Sequence, residues 1–465
     1  MNFSELTSLQ KNALIMVLIN AFATPLMLSS VNVALPSIAK DLNMNAVLLS
    51  WIPMIYLMAS AMFVLTFGRL ADMLGRKKIF LIGTSAAIIT SIGASLSQSG
   101  EILLLFRFLQ GVSAAMLYAT QVAIISSVFP PPKRGGAIGL MISILYFGLA
   151  AGPFFGGLLI EQFDWRACFI LHIPLALIVI YFGLKKVSGD WSDQESTQSI
   201  KDLDLKGASV YGLAIVALSI GVSNLPSLSS LITILFGIAG LYLFTKIEKV
   251  VEHPLFNINL FSNNRVFTLS CLASLLMYTA TFANVVLVSL YLQYIKGYSP
   301  SVTGLIMITQ PLMMAFVSPL SGRLSDRIEP RVIASFGIAL TILGLGLLAL
   351  LNSESSDAIL IFALITTGAG FGLFSSPNVN AIMGSVNKSQ YGIAAGINAT
   401  MRVVGQMTSM IMVTLVMSLL LGAVEIAPEN YDQLSNVIRI SFLIAAILCL
   451  PAIYFSLFRG RLRES

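Results

Sequence analysis

Two arginines sit where arginine is expensive. Arg107, in Leu105-Phe106-Arg107-Phe108-Leu109-Gln110-Gly111, and Arg402, in Asn398-Ala399-Thr400-Met401-Arg402, both lie inside long apolar runs. A guanidinium surrounded by hydrocarbon must face a partner or a water-filled cavity, which makes each a functional candidate. For Arg107, snorkelling to the near interface is the plainer alternative. A third cluster is the loop Gly68-Arg69-Leu70-Ala71-Asp72-Met73-Leu74-Gly75-Arg76-Lys77-Lys78. Gly68 and Gly75 allow a tight turn between helices. Asp72 can there sit against a helix N-terminus or an arginine of a neighbouring bundle, while Arg76 and the lysines face an anionic leaflet. A near copy, Gly322-Arg323-Leu324-Ser325-Asp326, follows far downstream. Gly148, Gly152 and Gly156 fall on one helix face beside Pro153, so another backbone can approach closely there.

Other chemistry is excluded. His172 and His253 form no HExxH pair, and no phosphate-binding or nucleophile-elbow motif is present. Cys168, Cys271 and Cys449 all lie in apolar runs, so neither a disulfide framework nor a zinc site is expected. The reading is therefore no enzyme, no cofactor and no metal. None of the 21 Asp and Glu lies deep in an apolar run. A proton carrier would have to be Glu101, Glu161, Asp164 or His172, unless the substrate itself carries the charge. With Arg107 and Arg402 the centre is formally positive, which favours neutral or anionic amphiphiles.

These residues need elements to hold them, and the composition says which. Of 465 residues, 57% are hydrophobic and 10% charged, against about 25% charged in an ordinary soluble domain. Runs of 18 residues or more are long enough to cross about 30 Å of hydrocarbon. They predict an all-α polytopic membrane protein with spans near 13–35, 49–68, 79–97, 102–125, 136–160, 166–184, 207–222, 226–245, 267–292, 302–322, 332–351, 357–381, 391–421 and 437–458. The short turn Ser223-Asn224-Leu225-Pro226 leaves a re-entrant hairpin open as the alternative for the seventh and eighth. Ala21-Phe22-Ala23 mimics a signal-peptide cleavage site, but the apolar run continues to Leu35 and predicts an uncleaved first helix. Of the 27 Lys and Arg, only Lys40, Arg166, Lys296 and Arg439 fall on the outer side once both termini are placed in the cytoplasm. The net charge of +6 thus reflects membrane topology and not nucleic acid.

The repeated loop predicts two matched six-helix bundles, residues 1–186 and 248–465, with a linker and two inserted helices over 187–247. Candidate cavity-lining residues are Asn32, Tyr56, Gln121, Tyr146, Asn284, Asn378 and Arg402, together with Asn20, Gln293, Gln310, Asn380 and Gln406. For each amide, an interhelical hydrogen bond is as good an explanation.

The loop at Gly68–Lys78 resembles the signature between the second and third helices of the major facilitator superfamily, G-x-L-a-D-r-x-G-r-k. That resemblance implies a latch between bundles for Asp72. Gly148–Gly157 resembles the fifth-helix antiporter motif, which implies a sealed bundle seam. Arg107 with Gln110-Gly111 resembles the R-x-x-Q-G of drug:proton antiporters, which implies a part in proton coupling. Trp165-Arg166 with His172-Ile173-Pro174, and Val31-Asn32-Val33-Ala34-Leu35-Pro36, extend the likeness to the fourteen-helix drug:proton antiporter family. One departure stands out: Met27 occupies the position of that family's usual first-helix Asp. The resemblance implies a monomeric plasma-membrane transporter that expels hydrophobic or amphipathic compounds against protons. The alternative on the same fold is a facilitator or exporter of anionic or neutral metabolites without a coupling carboxylate.

Overall fold

The computed structural model describes residues 6–191, 203–225, 227–251, 254–256, 258–325, 327–387 and 391–461. Asp326 of the second loop copy lies outside them. Among the described residues, fourteen helices are long and apolar enough to span a bilayer: α1 (Ser8–Asp41), α2 (Ala46–Leu74), α3 (Arg76–Ser95), α4 (Gly100–Val128), α5 (Gly136–Gln162), α6 (Ala167–Lys185), α7 (Leu205–Ser223), α8 (Leu228–Glu248), α9 (Arg265–Ile295), α10 (Pro300–Ser325), α11 (Pro330–Ala349), α12 (Asp357–Gly384), α13 (Ile393–Leu420) and α14 (Pro428–Phe458). The seventh and eighth are full-length helices, so the re-entrant alternative falls. Several helices outrun their apolar stretches because polar caps carry them into water. Thr7 caps α1 in a reciprocal box with Gln10, Asn45 caps α2, Ser99 caps α4 and Asn264 caps α9. Each satisfies amide protons that the first turn leaves without partners.

The elongation of α2 changes the reading of its loop. Gly68 is not a turn residue: the helix runs on to Leu74, and Gly68 lies within it, facing Ala119 of α4 with room for a side-chain carbon. Gly75 alone makes the corner, at φ +107, where a Cβ would also meet Asp190 at 2.8 Å. Asp72 therefore rides on the last turn of α2.

An even number of crossings brings both chain ends to one end of the molecule, here called the terminal end. In the first bundle, α1 packs on α5, and α4 on α2 and α3. In the second, α12 packs on α10 and α11, and α9 on α13 and α14. The bundles meet where α5 crosses α10, α2 crosses α13 and α1 crosses α9. Helices α7 and α8 pair with each other, and α7 touches both α2 and α13. Leu231, Ile232, Leu235 and Phe236 of α8 stay exposed, as a lipid-facing surface requires.

The glycine row divides its work between two neighbours. Cβ atoms at Gly148, Gly152 and Gly156 would strike α1 at Phe22, Leu26, Ser29 and Ser30, inside the same bundle. The contact between bundles belongs to Gly157, which faces Pro300, and to Pro153, whose carbonyl fits against Gly304 of α10. The face carrying three glycines thus packs within the first bundle, and its neighbours form the seam.

Candidate functional site

A cavity of about 1590 Å³, its open mouth included, lies between the bundles. It reaches Ile138, Met383 and Ala395, near the terminal-end turns of α5, α12 and α13, and stops at Asn32, Leu149 and Val285. Its walls are aromatic (Tyr118, Tyr146, Tyr278, Phe282, Phe371) and apolar, interrupted by Gln121, Gln310, Asn398 and Gln406. Among the described residues, Arg402 is its one charged side chain.

Beyond the cavity floor the bundles close. The Nε2 of Gln293 in α9 donates to the Val33 carbonyl of α1 at 2.9 Å. Glu161, at the end of α5, accepts from the Ser301 amide of α10 at 3.1 Å. Ser50 of α2 meets Thr414 of α13, hydroxyl to hydroxyl, at 2.9 Å, and the Ala46 amide donates to Val424 at 2.9 Å. The site is thus open at the terminal end and shut at the opposite one.

Arg107 has no contact with water: its exposure is 0%. It does not snorkel. Its Nε donates to the Ile52 carbonyl at 3.1 Å, and its Nη1 to Gln110 at 2.9 Å, while Gln110 in turn donates to Ser91. The Tyr56 ring lies under the guanidinium at 4.5 Å. Where the resemblance leads one to look for a carboxylate stands the Met27 sulfur, 3.8 Å from Nη1. Nη2 has no hydrogen-bond partner. A buried cation without a counter-charge is held at considerable cost, offset here by ring faces and polar oxygens.

Tyrosines join this arginine to the cavity. The Tyr56 hydroxyl is 3.2 Å from that of Tyr118, and the Arg402 guanidinium carbon lies 5.3 Å from the Tyr118 ring centre. Tyr118 follows Arg107 by three helical turns on the same face of α4, a spacing that would have revealed it in the sequence.

The other candidates separate. Asn32, Gln121, Tyr146 and Arg402 line the cavity together, with Gln310 and Gln406. Tyr56 sits one layer behind, and Asn284 is buried away from the cavity with both side-chain polar atoms unpartnered. Asn378 also fails to line it, because it is taken up by Arg459: Nη1 of that arginine donates to Asn378 at 2.6 Å and to Ser270 at 3.2 Å. Arg459, just past α14 and only 1% exposed, has its pKa drawn down to about 10 by burial. Nothing in the charged tail of the sequence marked it as buried.

Asp72 pairs with Arg76 at 2.8 Å, and Arg76 Nη1 donates to Ser127 at 2.6 Å. The expected latch is here a clamp inside the first bundle, fastening the α2–α3 corner to the end of α4. Gly68, Arg69, Asp72 and Arg76 still face Ile393, Ile397 and Thr400 of α13 across a second cleft. Of the outer candidates for a proton, Glu161 alone is seen to bridge the bundles. Asp164 binds Arg166 at 2.8 Å, which also holds Asp41 at 2.9 Å. Although partial burial opposes it, those two carboxylates raise the Arg166 pKa. His172 is buried, with Nδ1 3.1 Å from the Phe169 carbonyl and Nε2 unpartnered.

Comparison with known proteins agrees with this architecture. The profile of the Major Facilitator Superfamily matches residues 17–252 and 269–465. The chain is 29% identical over 392 residues to the riboflavin transporter RibZ of Clostridioides difficile, covering 84% of each. It is 30% identical over 381 residues to the multidrug resistance protein Stp of Mycobacterium tuberculosis, covering 81% of this chain and 70% of that one. Among solved structures, a bacterial homolog of the human lysosomal transporter Spinster, in an inward-facing and unoccupied conformation, superposes with a TM-score of 0.66. That match is 14% identical and covers 97% of both chains.

Proposed function

The chain belongs to the Major Facilitator Superfamily, and from that premise we propose that it exports amphipathic compounds by alternating access in exchange for protons. The observation that carries this reading is the cavity between the bundles, open at the terminal end and closed at the other. The bias of Lys and Arg assigns the terminal end to the cytoplasm of a cell membrane, both termini inside. The protein is then caught ready to load from within. Residues 1–186 and 248–465 rock as units, probing the site from alternate sides, and 187–247 carry the inserted pair; one chain suffices.

Loaded substrate would lie against the tyrosine and phenylalanine walls, with Asn32, Gln121, Gln310 and Gln406 offering hydrogen bonds. The name of RibZ, a riboflavin transporter, fits aromatic cargo, and that of Stp, a multidrug resistance protein, fits export of more than one compound. For the proton we assign Glu161. Its carboxylate, at the outer end of α5, accepts from the first turn of α10. Protonation of Glu161 from outside removes the acceptor charge and loosens that pin, which makes it a proton-sensitive gate at the outer end; it does not by itself carry the proton across. Asp72 and Arg76 act at the inner end, where the second cleft must narrow as the outer end opens.

A second reading has its own observation. No Asp or Glu lines the cavity among the described residues, and Met27 occupies the ground beside Arg107. Export could then be driven by the substrate's own charge. The deciding experiment is efflux of a chemically diverse panel from cells expressing the protein, with and without an uncoupler. Uncoupler-sensitive efflux supports exchange, efflux indifferent to it supports the second reading, and no efflux of any compound rejects both.

A further inference from the structure

Arg402 enters the cavity with nothing to balance it. It forms no ion pair with any described carboxylate, and among the described residues its guanidinium meets the Tyr118 ring at 5.3 Å. The surrounding wall offers amides, hydroxyls and hydrocarbon but no acid. While the cavity is open, water and dissolved ions screen this charge. During a transport cycle the mouth must close, and a cation sealed in a low-dielectric chamber without a counter-charge is strongly disfavoured. The cheapest remedy is a counter-charge that arrives with the cargo. A guanidinium also presents paired donors that match a carboxylate in two parallel hydrogen bonds.

Resting on the export reading above, we infer that the cavity selects monoanionic amphiphiles: an aromatic body against Tyr146, Tyr278 and Phe371, and one carboxylate or comparable oxyanion on Arg402. One arginine accommodates one charge. Tyr278 and Phe371 already meet edge to face at 5.3 Å, leaving ring surfaces to hold a flat hydrophobic group. Lipophilic cations, by the same geometry, are repelled by Arg402 and find no carboxylate to offset that repulsion.

The test uses three probes sharing one ring system: pyrenebutyrate, pyrenebutyramide and pyrenebutylamine. Binding to the purified full chain in nanodiscs is read by fluorescence anisotropy, with protein-free discs subtracted. Wild type should bind the carboxylate about tenfold or more tighter than the amide, and the amine most weakly. Arg402→Gln should erase the difference between carboxylate and amide, with an unaltered size-exclusion profile reporting that the variant is folded. Arg402→Lys should restore part of the preference. Acetate at matching concentration should not displace pyrenebutyrate. Equal binding of all three probes by wild type, a preference for the amine, or a carboxylate preference unaltered in Arg402→Gln would overturn the inference, and acetate displacement would reduce the site to a small-anion site. Vesicle transport of the probes keeps the two readings apart. Carboxylate-selective binding without movement leaves this inference standing and removes the export reading; movement without charge preference does the reverse.

Discussion

At the residue scale, the molecule places positive charge where stability alone would not. Arg107 is buried among Ile52, Tyr56, Gln110 and Met27 without an acid in reach. Replacing a buried ion pair by apolar groups of similar volume is often neutral or stabilising by about 1–4 kcal/mol, and a lone buried cation leaves no partner charge stranded when it is removed. Arg107→Met should therefore melt no lower than wild type in detergent, by dye-based thermal unfolding, yet lose export at least tenfold. A large drop in melting temperature would mean that the arginine is mainly a structural tie. The opposite trade holds at Gly75. Its φ of +107 and the nearness of Asp190 leave no room for a side chain. Gly75→Ala should lower stability by about 1–2 kcal/mol, seen as a reduced melting midpoint; an unchanged midpoint would show that the corner can remodel.

At the scale of elements, much was legible and the failures share a cause. Hydropathy placed all fourteen spans, because satisfying the backbone in lipid leaves few choices beyond a helix. Boundaries were less legible, since caps such as Thr7 and Asn45 lengthen helices into water. The cavity lining was half readable. Asn32, Gln121, Tyr146 and Arg402 face it, but Asn284 and Asn378 do not, because apolar helices hide the angular phase that decides which neighbour a polar residue meets. The glycine row shows the same ambiguity: close approach was foreseeable, its partner was not. That partner now separates two substitutions. Gly152→Leu would collide with Ser29 and the Leu26 carbonyl inside one bundle and should reduce the yield of folded protein, measured by size-exclusion profile. Gly304→Leu would collide with the Pro153 carbonyl across the seam. It should leave the profile intact and stop turnover by holding the outer end ajar. Normal transport in Gly304→Leu would show that the seam opens and closes elsewhere.

At the scale of the whole molecule, the closed outer end makes a strong prediction about motion. Ser50 and Thr414 stand hydroxyl to hydroxyl at 2.9 Å on helices of different bundles, and the native cysteines are all buried. Cysteines at both positions should cross-link on mild oxidation, abolish export, and regain it on reduction. Export surviving a complete cross-link would mean that the bundles do not part at this point. The charge arrangement operates at this scale as well. Among the described residues the chamber between the bundles holds no acid, so its charge is set by Arg402 alone.

The inserted pair has a consequence of a different kind. Helix α7 bridges the bundles, its Ser223 hydroxyl 3.7 Å from the Met54 sulfur of α2 and its Ser219 hydroxyl 3.8 Å from the Met407 sulfur of α13. It thereby shutters one of the two flanks through which an oil-soluble molecule could slip sideways out of the leaflet. The opposite flank, where α5 meets α10, carries no inserted helix among the described residues, so the pair breaks the twofold likeness of the two sides.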